Sequence, residues 1–275
     1  MSETVWHRPA SLADALALKA ELGDDALAIA GGTYLGVLLS TGLIDPPEAL
    51  IALGGIAELR GLEVDGDVLR IGALETHRAV ERSVAVRQGG FEALADTFAV
   101  VANVRIRSVA TVGGVLADAD YASDPPAMLC ALGAVVVLAS SRGERRLSIE
   151  QLILGHYETA IEHDELLVRV EIPRPERAAY LKFRSRGSED RPCVGVAVVR
   201  RAGLRVVIGA ASDRPQVFPE LCALADGRAL TPELCDEIAG GYAERLEALD
   251  DLRGSAGYRR RVTRTLVRRG LEAIA

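Results

Sequence analysis

Leucines at positions 12, 16, 18 and 22 form a roughly helical stripe in "SLADALALKAEL", and Ser11 stands where an N-cap side chain would serve the first free amides. The apolar run "ALAIA" (26–30) reads as a short buried strand that ends at "GGTY" and passes into a helix over "YLGVLLS". "ALIAL" (49–53) reads as a second strand. "LEVDGDVLRIG" alternates apolar and polar positions around Asp65-Gly66, a hairpin signature. Helices are expected at 76–83 and 90–98, and "VATV" (109–112) is expected as a strand running straight into Gly113-Gly114. After Pro126 a helix leads into the strand "AVVVLAS" and a turn at "SRGE", and "ELLVRVEIP" (165–173) is a further strand.

The pattern then changes. "PRPER" (173–177) sets two prolines around charges and reads as a linker. "YLKFRSR", "CVGVAVVRRAG" and "LRVVIGAAS" follow as a strand meander, with a turn at Ala202-Gly203, and helices are expected at 217–226, 231–248 and 255–274. Strands followed by helices imply a separate α+β domain near 178–275.

Composition narrows the function classes. The chain has 275 residues, 49% hydrophobic and 26% charged, enough for a sizeable core. Aromatics are only 4%, so that core is aliphatic. A net charge of −7 argues against a nucleic-acid surface. Only two of the 32 basic residues are lysines, Lys19 and Lys182, so a lysine at a site stands out. The start "MSETVWHRPASLADALA" holds no apolar signal segment, and the longest apolar run, Ala127–Ala139, is too short to span a bilayer. A cytoplasmic location without stable membrane insertion is therefore expected.

The cysteines at 130, 193, 222 and 235 show no C-x-x-C spacing, which disfavours an iron–sulfur cluster or structural zinc in this chain. The histidines at 7, 77, 156 and 163 are scattered, so no metal site is expected. The last helix carries Arg259, Arg260, Arg261, Arg264, Arg268 and Arg269, read as a solvated face, with a docking face for an acidic partner as the alternative.

Two strand-to-Gly-Gly turns carry the chemistry: "AIAGGTY" (28–34) and "ATVGGVL" (110–116). Glycine admits positive φ and close backbone approach, and successive N–H groups ahead of a helix bind anions. Two such turns, each with a threonine, could wrap the diphosphate of a dinucleotide. Neither is G-x-G-x-x-G and neither contains G-K-[ST], which disfavours nicotinamide and NTPase sites. Asp124 would be repelled by a diphosphate and so should face ribityl or ribose hydroxyls. "SDPPAMLCAL" also makes it a helix N-cap with proline at N1, and both roles can coexist. Asp118 and Asp120 stay unassigned.

"AGGTYL", "VRIRSVATVGGVLADADYASDPPAMLCALGA", "ELLVRVEIP" and "KFRSRGSEDRPCVGVAV" together resemble the FAD-binding medium subunit of molybdenum hydroxylases, the group of carbon monoxide dehydrogenase, the xanthine dehydrogenase family and bacterial N-heterocycle dehydrogenases. "DDLRGSAGYRRRVTRTLVRRGL" is similar to the family's C-terminal domain, so the resemblance covers almost the whole chain. It implies an α+β fold: a two-subdomain FAD-binding domain of the vanillyl-alcohol oxidase (PCMH) type over 1–175, divided at about 55, then an α+β C-terminal domain over 178–275.

The resemblance further implies non-covalent FAD. Pyrophosphate contacts would fall at Ala30, Gly31, Gly32, Thr33 and Tyr34, and at Thr111, Val112, Gly113, Gly114 and Val115. Asp124 matches an FAD contact, Leu167 and Lys182 match positions approaching the flavin, and Val101 matches a position that packs on FAD. A lysine cation there would stabilise the anionic reduced flavin. No catalytic side chain or metal ligand is expected in this chain.

The implied partners are a large molybdopterin subunit and a small subunit with two [2Fe–2S] clusters, in a dimer of heterotrimers that passes electrons through FAD to an external acceptor. Two departures stand out. Val115 replaces the usual asparagine, and "EDRPCVG" offers Arg191 and Pro192 where several relatives place an aromatic beside the flavin. A stand-alone FAD oxidase and an FAD-free scaffold subunit remain as alternative readings.

Overall fold

Three short strands open the chain in a computed structural model that describes residues 4–275. Val5–His7 (β1), Ala26–Ile29 (β2) and Ala49–Ala52 (β3) pair in parallel in the order β1-β3-β2. Parallel neighbours need crossovers, and the helices Leu12–Leu22 and Leu35–Ser40 lie in them. Ser11 caps the first of these, its hydroxyl accepting from the Asp14 N–H.

The second sheet is antiparallel. Its strands are Leu62–Asp65 (β4), Val68–Gly72 (β5), Val135–Ser140 (β6), Gly143–Ser148 (β7) and, beyond a small hairpin of Ile153–Gly155 (β8) and Glu158–Thr159 (β9), Leu166–Pro173 (β10). The order is β4-β5-β10-β6-β7. Asp65 pairs with Val68, so Gly66 with φ +58° takes the first turn position of the expected hairpin. β6 is buried on both faces. Val136 and Leu138 join the helices of the main core, while Val137 and Ala139 join the core beneath the parallel sheet. That double burial is why "AVVVLAS" is continuously apolar.

Two expectations change. The helix expected at 90–98 is preceded by a separate short helix, Val84–Gln88, and itself runs Glu92–Ala99. "VATV" is not a strand. The Val109 and Ala110 amides both donate to the Ile106 carbonyl, Thr111 makes one isolated bridge to Thr76, and its hydroxyl then caps the helix Val112–Ala117. The threonine that ended an apparent strand is a helix start.

The last sheet is the expected meander of Arg177–Phe183 (β11), Val194–Arg200 (β12) and Leu204–Gly209 (β13). Val196 and Val198 face the C-terminal helices Pro232–Arg245 and Ala256–Ala273, while Ala197 and Val199 pack into the main core. Arg259 departs from the expected solvated stripe. It is fully buried, donating to the Ala210 carbonyl (2.7 Å) and to Asp251 (2.6 Å).

His77 lies buried edge-on to Phe98, ring centroids 4.9 Å apart. Burial pushes its pKa down to about 4; the Arg107 charge adds to this and the Thr111 backbone opposes it. An unfolded histidine titrates near 6.5, so between these values the unfolded chain holds more protons and stability falls with pH. Urea unfolding should show a loss of about 2 kcal/mol from pH 7 to pH 5 at this site. His77→Phe should flatten that dependence; an equally steep variant would assign it elsewhere.

Candidate functional site

The first glycine turn leaves β2 at Ala30, which packs on the core under the parallel sheet. Gly31 and Gly32 are required for different reasons. A Cβ on Gly31 would strike the Val109 carbonyl oxygen and lie 2.7 Å from its carbon, because the two backbones touch. Gly32 has φ +65°. The result is a run of five amides, Gly31 to Leu35, with no protein acceptor among the described residues, while the Gly32 and Tyr34 carbonyls turn back to accept from Gly36, Val37 and Leu38. Consecutive free N–H groups on a compact turn form an anion-binding nest.

The second Gly-Gly pair is different. Val112 donates to the Glu75 carbonyl (2.9 Å), Gly113 to Ala73 (2.8 Å), Gly114 to the Thr111 hydroxyl (3.0 Å) and Val115 to the Thr111 carbonyl (3.1 Å). These four amides are committed to the fold, which corrects the expectation of a second free nest. Gly113 is needed for packing, since its Cβ would lie 2.8 Å from that of Ala73. Val115 packs on the main core, so its side chain is engaged in apolar contact. Only Thr111 in this stretch keeps an unpartnered N–H among the described residues, and Ala110 beside it lies against Gly31.

Asp124 occupies the N-cap position of the helix Pro125–Ala131 but makes no capping bond. One carboxylate oxygen accepts from the Tyr180 hydroxyl (2.8 Å) and the other from Lys182 Nζ (2.8 Å). Lys182 also donates to the Val100 carbonyl (2.9 Å). Both charged side chains are almost wholly buried, 3% and 4% exposed. Burial pushes the Asp124 carboxyl up and the Lys182 ammonium down, each toward neutrality, and their attraction opposes both shifts. Lys182 is thus a cation already matched by a carboxylate, not a free charge. Val101 is half-buried and its carbonyl accepts from Arg107 (2.8 Å). Leu167 is buried in the main core where β10 shifts register against β6.

Other residues gather beside the nest. Tyr34 stacks on Tyr157, centroids 5.4 Å apart and planes at 20°. Tyr157 packs on His156 at 4.3 Å, and His156 on Tyr121 at 4.4 Å. Burial, the neighbouring Tyr157, Asp120 and Asp118 raise the Tyr34 phenol. Asp118 is pushed up to about 7, by burial first and then by Asp120. Asp120 accepts from the Ala122 amide (3.0 Å) and pairs with Arg191. With Asn103 donating to Glu189 (3.1 Å), that pair ties the 184–192 segment to the first half of the chain. Sequence reasoning missed this aromatic run because its members come from three separate segments, around 34, 121 and 156–157. The four cysteines are buried and free, and no metal-holding cluster exists among the described residues.

The free-amide turn is suited to a compact anion, and similarity to known proteins specifies the class. Residues 2–175 match the family described as FAD binding domain in molybdopterin dehydrogenase, and residues 178–274 match the CO dehydrogenase flavoprotein C-terminal domain. The chain belongs to this family, as the FAD-binding medium subunit of the molybdenum hydroxylases. Nicotine 6-hydroxylase medium subunit of Paenarthrobacter nicotinovorans is 34% identical over 271 residues, 96% of this chain and 94% of the relative. The carbon monoxide dehydrogenase medium chain of Afipia carboxidovorans is 32% identical over 276 residues, 97% and 95% of the two chains. The carbon monoxide dehydrogenase structure from Hydrogenophaga pseudoflava superposes with TM-score 0.93 at 29% identity, covering 99% of this chain and 97% of that one. Such relatives are oxidoreductase subunits. Among the described residues no helix is long and apolar enough to cross a membrane.

Proposed function

We propose that this chain is the flavin electron-transfer subunit of a molybdenum hydroxylase complex. The observation that carries the reading is the run of five free amides from Gly31 to Leu35. A diphosphate needs concentrated donors, and this turn supplies them from backbone alone. Gly31, Gly32, Thr33 and Tyr34, with the Thr111 N–H, would hold it. When bound, FAD would take electrons from single-electron carriers and hand them to an external acceptor. The chain's own part is to bind and orient: the matched pair Asp124–Lys182 adds no net charge there, and Arg191 on Asp120 holds the 184–192 segment in place. Electrons would arrive from [2Fe–2S] clusters in a small subunit, with substrate oxidised at molybdopterin in a large one. A dimer of heterotrimers, a cytoplasmic location and the division into PCMH-type 1–55 and 56–175 and C-terminal 178–275 belong to the same proposal.

The test is direct. The purified full chain should show flavin absorbance and release FAD on denaturation; a colourless chain that takes up no FAD overturns the reading. The committed amides of 112–115 favour one rival, a scaffold subunit without FAD. Flavin content of the native complex separates the two.

A further inference from the structure

We propose that Tyr157 is a stacking residue for one of the planar ring systems of the cofactor whose diphosphate the 31–35 amides hold; the inference rests on the FAD reading above. Tyr157 occupies a two-residue turn, His156-Tyr157, between β8 and β9, where Gly155 pairs with Glu158. Its φ is +58°, in the left-handed region that a bulky residue rarely adopts and that such turns normally give to glycine or asparagine. The strain is held in place by the Tyr157 N–H donating to the Ala119 carbonyl (3.1 Å), at the end of the helix that Thr111 caps. Nothing in the core requires the ring, which is 47% exposed.

What the strained turn achieves is a position. It sets the Tyr157 ring on Tyr34, itself one of the nest residues, and His156 and Tyr121 extend the row behind it. An aromatic row that begins inside an anion nest and is exposed at His156 and Tyr157 matches a ligand in which a planar ring is joined to a phosphate. FAD has one at either end of its diphosphate, adenine and isoalloxazine. Either gains from a flat or edge-on aromatic contact. Strain kept at an exposed residue is itself a mark of function rather than of packing.

Tyr157→Gly separates the two roles. It removes the ring and relaxes the positive φ, so melting temperature should hold or rise. Affinity of the full chain for FAD should fall by about ten- to a hundredfold, read by fluorescence titration. Tyr157→Phe should restore it. Titration with ADP and with FMN locates the ring. A loss shared with ADP places adenine on Tyr157, and a loss shared with FMN places isoalloxazine there. A Gly variant that binds all three ligands as the parent does overturns the proposal, as does an affinity loss accompanied by lowered stability that Tyr157→Phe does not restore. A parent chain that binds none of the three overturns the FAD reading itself.

Discussion

Gly31→Ala is expected to purify without flavin. The added Cβ meets the Val109 carbonyl carbon at 2.7 Å and Ala110 Cα at 3.2 Å, as well as the carbonyl oxygen. All three are backbone atoms, so no rotamer change relieves the contact. The 30–35 turn and the 109–111 segment must part, which pulls the free amides away from the Thr111 N–H. Overpacking of this kind costs about 1–3 kcal/mol in stability. Losing two donors to a charged group costs about 3–6 kcal/mol in binding, a hundredfold or more in affinity. Gly36→Ala is the control. It lies one turn further on, in the helix Leu35–Ser40, with nothing within 4 Å of its added Cβ. It should keep full flavin and gain up to about 1 kcal/mol of helix stability. Flavin-to-protein absorbance ratios and melting curves of the two variants decide the matter; a fully loaded Gly31→Ala protein would mean that the diphosphate does not sit on this turn.

The two glycine turns look alike in sequence and differ in the fold for a reason no local pattern holds. The amides of Gly31–Leu35 are free because the backbone that touches Gly31 presents no acceptor to them, whereas those of Val112 and Gly113 are taken by the Glu75 and Ala73 carbonyls just past the end of β5. Asp124 was legible as a helix-start position, but its partners Tyr180 and Lys182 lie 56 and 58 residues away on β11. Once those donors are supplied by tertiary contact, the local capping bond is abandoned. Strands such as β6 and the hairpin at Gly66 were legible because burial and turn chemistry are written locally. Tyr157 was not: tyrosine carries no turn preference, and its positive φ is imposed by Ala119 and Tyr34. Arg259 sat in a run of surface arginines, and its tertiary acceptors, the Asp251 carboxylate and the Ala210 and Gly254 carbonyls, distinguish it.

Removing one member of the Asp124–Lys182 pair should give the largest loss of stability. Lys182→Met leaves a carboxylate with a 3% exposed side chain and one remaining donor, Tyr180. Asp124→Asn leaves the ammonium with neutral acceptors alone, the Val100 carbonyl and the new amide oxygen, and without the carboxylate charge that matched it. Breaking a buried pair from one side costs about 3–5 kcal/mol, because the surviving charge keeps its desolvation penalty and loses its counter-charge. The double variant Asp124→Asn/Lys182→Met removes both charges and should recover most of that loss, so the pair should show strong coupling in a double-mutant cycle. The pH dependence gives an independent reading. With Lys182 gone, burial raises the folded pKa of Asp124 further, opposed only by the Tyr180 hydroxyl and the more distant Arg184 charge, so the folded state takes up a proton at a pH where the unfolded state does not. The Lys182→Met deficit should therefore shrink as pH falls from 7 to 5. Urea midpoints of the four proteins at both pH values test this, and additive single-variant effects would show that water reaches the pair. Tyr180 and Lys182 both stand on β11 and Asp124 heads the helix Pro125–Ala131, so the bond being measured is the one that fastens the C-terminal sheet to the chain that carries the nest. A Lys182→Met protein that loses stability yet keeps its flavin would place the lysine's role in that fastening, and one that loses flavin first would place it at the cofactor.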